Sequence, residues 1–158
     1  MAYAIRPFQE EDAPALADLT LTAIRSIGRH RYTAEQVDKW AARHPGPERF
    51  VQRARKGAHI LVAVEVDGRA VAYSLLEPDG HLDMLYCHPD HTRRRLADEL
   101  LAASEQLARS KSMPRLYTEA SELARPAFER AGYEVKHRRD FEIDGVPIHN
   151  YAMEKPLD

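Results

Sequence analysis

The sequence predicts an α+β domain with a mixed, mostly antiparallel sheet flanked by helices. Three observations carry that reading. A β-branched block in the middle of the chain turns back on itself at Asp67-Gly68. Helical spacing of apolar residues precedes this block and returns after it. A second two-residue turn, Asp144-Gly145, closes another hairpin near the end. The 158 residues suit one domain spanning 1–158, with ordinary hydrophobic (44%) and charged (30%) contents.

Residues 3–8 alternate and form a first strand. The run Glu10-Glu-Asp-Ala-Pro-Ala15 opens a helix, with acids in its first turn and Pro14 where a missing N–H costs little. Leu16, Leu19, Ala23 and Ile27 mark its apolar face, and Gly28 ends or interrupts it. Thr33 and Gln36 make a capping box for a second helix through Val37, Trp40 and Ala41. His44-Pro-Gly-Pro47 breaks the chain before a short helix at 48–55. Residues 60–66 and 69–76 are the arms of the first hairpin. Pro78-Asp-Gly80 then turns the chain into a strand at 81–87. Past Pro89, three arginines open a helix whose apolar stripe is Leu96, Leu100, Ala103 and Leu107. A strand at 115–119 follows Pro114. Ser121 caps a helix running to Ala131, where Gly132 stops it. The last hairpin pairs 133–143 with 146–154, and Pro147 marks an edge position near the start of its second strand.

A formal net charge of -2 leaves no global field to recruit nucleic acid or an anionic membrane, so any basic site is local. One cysteine, Cys87, rules out a disulfide within the chain and fits a reducing, cytoplasmic setting. No apolar run approaches a membrane span, and Met-Ala-Tyr-Ala-Ile-Arg lacks the features of a signal peptide. No internal repeat is evident.

The stretch 80–101 organises the rest. A strand there hands over to a helix N-terminus, where first-turn N–H groups lack partners and the helix dipole adds partial positive charge. Arg93, Arg94 and Arg95 stand at that point, so the segment is a natural anion seat. A solvated arginine run is the plainer alternative.

Several segments in fixed order resemble the GNAT family of acyl-CoA-dependent N-acyltransferases. They are Ile5-Arg-Pro-Phe8 with Asp12 and Ala13, the Asp67-Gly68 hairpin, Leu85-Tyr-Cys-His-Pro-Asp90, and Ala124-Arg-Pro-Ala-Phe-Glu-Arg-Ala-Gly-Tyr133. The resemblance covers nearly the whole chain. Within the family the chain is most similar to the YafP-like bacterial branch, through Tyr32-Thr-Ala-Glu-Gln36 with Trp40, Glu77-Pro-Asp-Gly-His-Leu-Asp-Met-Leu-Tyr86, Thr118-Glu-Ala-Ser121 and the closing segment 150–157.

The resemblance implies transfer of an acetyl group from acetyl-CoA to a small-molecule or peptide amine. No metal, nucleic acid or membrane takes part, and a homodimer is compatible with it. The pantetheine arm would lie between the strands 81–87 and 115–119, beside Leu85, Tyr86 and Cys87. The pyrophosphate would rest on backbone N–H groups from Arg93 to Ala97, including those of Arg94, Arg95 and Leu96, after Thr92. Ser121 stands where the family often has asparagine. Asp83 lies where the family often places its general base, acting through one water. Glu77 and His81 are alternatives on the turn leading in, His81 by virtue of an ordinary pKa near ~6.5. The general acid is missing from its usual place, which Phe128 occupies; Tyr117 or Tyr86 would substitute, or the thiolate would leave unaided. Trp40, Tyr32 and Ile27 would border the acceptor pocket or fill the core.

Cys87 as a nucleophile and His88-Pro-Asp-His91 as a metal site both lack supporting context. The basic run 136–139 reads as a solvated strand face. One departure matters. Where the family's phosphate loop has a central glycine, this chain has Arg95, and where it has glutamine or arginine, this chain has Thr92. The expected function is therefore an acetyltransferase with a modified phosphate loop. The alternative is a GNAT-fold binding or interaction module whose CoA affinity is weak or lost.

Overall fold

The computed structural model describes residues 3–44 and 46–157, and in it the chain builds two antiparallel sheets that meet at one end and diverge at the other. The first sheet has the order β1 (Tyr3–Pro7), β2 (His59–Glu65), β3 (Ala70–Leu76), β4 (Leu82–Cys87). The second contains β5 (Arg115–Ala120), β6 (Glu134–Ile143) and β7 (Val146–Pro156), with β7 in the middle. At the joined end His81 bridges Tyr117 in parallel. The Tyr117 N–H donates to the Gly80 carbonyl at 3.0 Å, and the Thr118 hydroxyl donates to the Leu82 carbonyl at 2.7 Å. Beyond these bonds β4 and β5 part, leaving an open fork.

Gly80 makes the joint possible. Its φ is +98°, and a Cβ there would lie 2.1 Å from the Arg115 carbonyl oxygen. Only a residue without a side chain lets β5 come this close to the turn.

Among the described residues five α-helices cover the sheets: α1 (Ala13–Ile27), α2 (Ala34–Ala42), α3 (Glu48–Arg55), α4 (Leu96–Ser110) and α5 (Arg125–Arg130). Leu16 and Leu19 of α1 and Phe50 of α3 pack on Val62, Tyr73 and Leu75 of the first sheet. Leu96 and Leu100 of α4 cover the opposite face at Ala63, Val71 and Ala72. Further along, Leu101 joins Leu116 and Met153 of the second sheet, so α4 ties the two sheets together. Each such buried side chain contributes about 1.5–3 kcal/mol. Two buried polar contacts are mutually satisfied: Ser74 with Ser104 at 3.0 Å and Thr20 with Tyr73 at 2.5 Å. Tyr32, Val37 and Ala41 dock the α2 region on Ile143 and Ile148 of the last hairpin.

The order of elements follows the sequence expectation, and the capping box forms. The Gln36 N–H donates to the Thr33 hydroxyl at 3.1 Å while the Thr33 N–H donates to the Gln36 side chain at 2.8 Å. Gly28 interrupts rather than ends the first helix, since its backbone stays right-handed and continues as a 3-10 turn, Gly28–His30. Two details differ, and a third, the edge position of Pro147, holds. The arginines do not open α4. The helix begins at Leu96, and Arg93 and Arg95 both take φ of 63° in the loop before it. Helix α5 is shorter than expected: Ser121 caps a separate turn by accepting from the Ala124 N–H at 3.1 Å, and the helix starts at Arg125. Pro147 lies on the central strand, β7, yet its part of that strand is an edge. There β7 pairs only with β6, and β5 begins pairing at Tyr151.

One local irregularity shapes the site. Leu75 pairs with Met84 and Leu76 with Leu82, so Asp83 is an extra residue in β4. This bulge breaks the alternation of the strand. Leu82, Leu85 and Cys87 therefore pack on the α4 side, while Met84 and Tyr86 pack on the α1 side.

Candidate active site

Two cavities, each of about 720 Å³, open on either side of the fork. The first is mostly apolar. Ile24 and Ile27 of α1, Leu85 and Cys87 of β4 and Ala127 of α5 contribute to its walls. Thr92, Arg93, Arg95, Leu96 and Ala97 form one end. The second cavity is polar and includes Arg53, Asp83, Glu119, Arg139 and His149. The two share Trp40, Leu85, Tyr86, Ser121 and Ala124, so they meet beside the middle of β4.

The end of the apolar cavity carries donors without internal partners. The first backbone hydrogen bond of α4 runs from Glu99 to the Arg95 carbonyl at 3.0 Å. The N–H groups of Leu96, Ala97 and Asp98 precede it and have no intrahelical acceptor. The left-handed residues at 93 and 95 give the loop the alternating backbone that gathers N–H groups around an anion. Arg93 and Arg95 line this end, but Arg94 does not: its guanidinium donates to the Tyr3 hydroxyl on β1 at 3.0 Å. Arg94 therefore leaves the expected set as a side chain. Thr92 is turned back onto the Pro89 carbonyl at 3.1 Å. Arg95, which stands where the family has glycine, adopts a left-handed backbone that glycine takes at no steric cost. Burial pushes the Cys87 thiol up to about 11, which keeps it protonated and unreactive near neutral pH.

A charged cluster floors the polar cavity. Arg53 of α3 donates to Asp83 at 2.5 Å and reaches Glu77 at 3.3 Å. His81 bonds Glu77 through Nδ1 at 2.6 Å and Glu119 through Nε2 at 2.7 Å. Burial opposes charge on the ring, and the hydrogen bonds to Glu119 and Glu77 with the charges of Glu119 and Asp83 outweigh it, raising His81 to about 9. His81 is thus an imidazolium near neutral pH, with both nitrogens donating, and it is not free to accept a proton. Ligand atoms of His81, Asp83 and Glu119 lie within 4.8 Å of one another. Asp83 and Glu119 face the cavity, whereas Glu77 buttresses them from outside it.

The two tyrosines considered as acids part company. Tyr117 stacks on His81 with ring centroids 4.7 Å apart and donates its hydroxyl to Asp79. That hydrogen bond, with some burial, raises it to about 12. Tyr117 lies at the closed end of the fork and lines neither cavity, so it does not reach their junction. Tyr86 lines both cavities. Its ring neighbours Trp40 and Tyr73, and its hydroxyl lies 3.4 Å from His44 Nε2. Enclosure pushes the Tyr86 hydroxyl well above the usual tyrosine range, so it holds its proton. Burial also lowers His44 from its ordinary value, leaving that ring neutral.

Sequence reasoning singled out Asp83 and missed its partners. Glu119 lay within a quoted motif without a role. Arg53, His44 and the pair Glu122–His149 gave no local signal, and Arg139, expected on a solvated strand face with the rest of the run 136–139, is half-buried and lines the polar cavity. His149 bonds Glu122 at 2.5 Å and Tyr151 donates to Glu122 at 2.8 Å. The hydrogen bond from His149 first, against burial, holds the Glu122 carboxyl below its usual range. Of the three residues expected to border the acceptor pocket or fill the core, Tyr32 and Trp40 line the polar cavity, whereas Ile27 lines the apolar one.

A forked pair of sheets with an anion seat on one side and a charged chamber on the other defines a class. The family model of the acetyltransferase (GNAT) domain matches residues 29–155. The chain belongs to the GNAT acetyltransferase family, and it is an acetyltransferase. It is 28% identical over 149 residues to the uncharacterised N-acetyltransferase YafP of Escherichia coli K12, covering 94% of this chain and 93% of that one. A crystal structure of a GCN5-related N-acetyltransferase from Rhodopseudomonas palustris is 33% identical, with a TM-score of 0.88 over 99% of this chain and 97% of that one. The PaiA N-acetyltransferase of Thermoplasma acidophilum, solved in complex with coenzyme A, shares the fold at 18% identity, with a TM-score of 0.79 over 99% of this chain and all of that one. No described helix is long and apolar enough to cross a membrane.

Proposed function

We propose that the chain moves an acetyl group from acetyl-CoA to an amine by direct attack, with acetyl-CoA in the apolar cavity and the amine in the polar one. The observation that carries this is the meeting of two chambers of opposite character beside Leu85 and Tyr86. The apolar walls suit the methylene-rich pantetheine arm, and the donors at 93–98 suit a pyrophosphate. Ser121, at the junction, is placed to contact the arm.

An amine attacking a thioester must first lose a proton. Asp83, paired with Arg53, is the base, acting through one water. Glu119 holds the same end of the chamber negative, and His81, as an imidazolium, keeps both carboxylates in place. The backbone N–H of Leu85 polarises the thioester carbonyl. Such preorganised donors act where charge develops. Tyr86, which retains its proton and touches His44, delivers that proton to the departing thiolate. It takes the role that Phe128 cannot fill.

Calorimetry with acetyl-CoA, followed by thiol release with an amine panel, tests the reading. Binding in the micromolar range and amine-dependent release are expected. Absence of binding at millimolar acetyl-CoA would leave the fold as a binding or interaction module instead. Within an active enzyme, Asp83→Asn should lower kcat by about 10²-fold or more with acetyl-CoA affinity retained. Undiminished kcat would move the base elsewhere.

A further inference from the structure

The polar chamber is electrically divided, and the division describes what it holds. At its inner end two carboxylates, Asp83 and Glu119, line the cavity against one cation, Arg53, so one negative charge is left over, and Glu77 pairs with the charged His81 behind them. At its other end stands Arg139 of β6. Its guanidinium donates to the Asn150 side chain at 3.1 Å and lies over the Phe141 ring at 5.4 Å, and among the described residues it has no carboxylate partner. Four of its five N–H donors remain for a ligand. Arg43, just after α2, and Arg49, in the first turn of α3, also line the chamber without carboxylate partners among the described residues. Glu142 and Asp144 line the same cavity, but they are exposed on the hairpin, where water and salt screen them more than the half-buried Arg139.

We propose that the acceptor is a small zwitterion, an amine that also carries a carboxylate or similar anionic group. Its ammonium end lies toward Asp83 and Glu119 and its anionic end on Arg139. This rests on the acetyltransferase reading above. A planar guanidinium held by an amide and a ring is preset for bidentate recognition of a carboxylate. The chamber volume of about 720 Å³ falls in the range of sites for single small molecules. A zwitterion also fits the chemistry: the negative inner end draws the ammonium to the base before it is deprotonated.

Matched pairs test the idea. Thiol release from acetyl-CoA is measured with amino acids, with their carboxamides and with the corresponding decarboxylated amines. The free acids should win in kcat/KM by at least about tenfold, mainly through KM. Arg139→Gln should erase the gap within each pair and Arg139→Lys should restore part of it. Equal rates for acid and carboxamide, or an equal loss for all acceptors in Arg139→Gln, would overturn the assignment. So would acetyl-CoA binding with no turnover of any acid in the panel. Failure to bind acetyl-CoA at all would instead sink the transferase reading on which it rests.

Discussion

The two cavities have the same volume and are built in opposite ways. The apolar one has plain hydrocarbon walls and owes its polar end to backbone: a fork between strands, a loop of left-handed residues and the start of α4. The polar one is made of side chains that arrive from α3, β4, β5, β6 and the α2–α3 connection. The difference teaches where each half of the reaction tolerates change. A backbone cradle survives substitution as long as the path of the chain is kept, which is how Arg95 can stand in place of glycine. A chamber of paired charges does not, because removing one member strands its partner.

The severest way to break the comparison is to damage the joint that both cavities share. Gly80→Ala would put a Cβ 2.1 Å from the Arg115 carbonyl, at a φ of +98°. Neither neighbour there is a flexible side chain that can move aside. The substitution should cost more than about 3 kcal/mol of stability, read as a drop in the urea midpoint. A change within experimental error would mean that β5 can retreat from the turn, and that the fork is not held by this contact.

Tyr86→Phe acts next, at the point where the cavities meet. It removes only the hydroxyl beside His44 and leaves the ring packed between Trp40 and Tyr73. We expect kcat to fall by about 10²-fold while acetyl-CoA affinity stays within experimental error. A matching loss of acetyl-CoA affinity would show that the hydroxyl shapes the cavity and does not supply a proton.

The same contrast explains how much could be read beforehand. The fold was legible because its signals are local: the Asp67-Gly68 turn, the Thr33–Gln36 box and the apolar faces of α1 and α4 each lie within one element. The anion seat was legible for the same reason. The bulge at Asp83 was not, since it depends on a mismatch of register between two strands, which no period in β4 alone reveals. The His81 clamp was not either. Glu77 and Glu119 are 42 residues apart in sequence and meet the ring only after β5 has come alongside the Gly80 turn. From sequence His81 had an ordinary pKa and suited a base. Folding reverses that by giving both of its nitrogens carboxylate partners. Tyr117 was misjudged by the same route: its neighbourhood was right, and the direction of the fork was not visible.

Arg95→Gly sharpens the claim that backbone governs the apolar side. A left-handed arginine carries a steric cost of about 1–2 kcal/mol. Glycine relieves it but adds freedom to the unfolded chain. The net gain should be up to about 1 kcal/mol, a rise in Tm of about 2–4 °C. Acetyl-CoA affinity should stay within about tenfold of the parent. A loss beyond about a hundredfold would assign the phosphate to the guanidinium and not to the N–H groups beneath it.

The smallest effect belongs to the His81 clamp, which is partly open to solvent and therefore screened. Folding raises this histidine from about 6.5, its ordinary value, to about 9. A raised pKa means that the folded state binds the proton more tightly than the unfolded state. The stabilisation is complete below the unfolded value and fades as pH climbs through about 9. Thermal unfolding followed from pH 6 to pH 10 should therefore show Tm falling across the upper part of that range. His81→Gln should begin lower and lose much of that slope, because it cannot be charged at any pH. Cys87, which burial raises to about 11 from an ordinary value of 9.0, adds a fall of the same sign above about pH 9, but it does so equally in parent and variant, so the difference between the two profiles isolates His81. Parallel profiles for parent and variant would mean that His81 is not held as an imidazolium. The inner end of the chamber would then carry more negative charge than the zwitterion assignment assumes, and the free-acid preference should weaken with it.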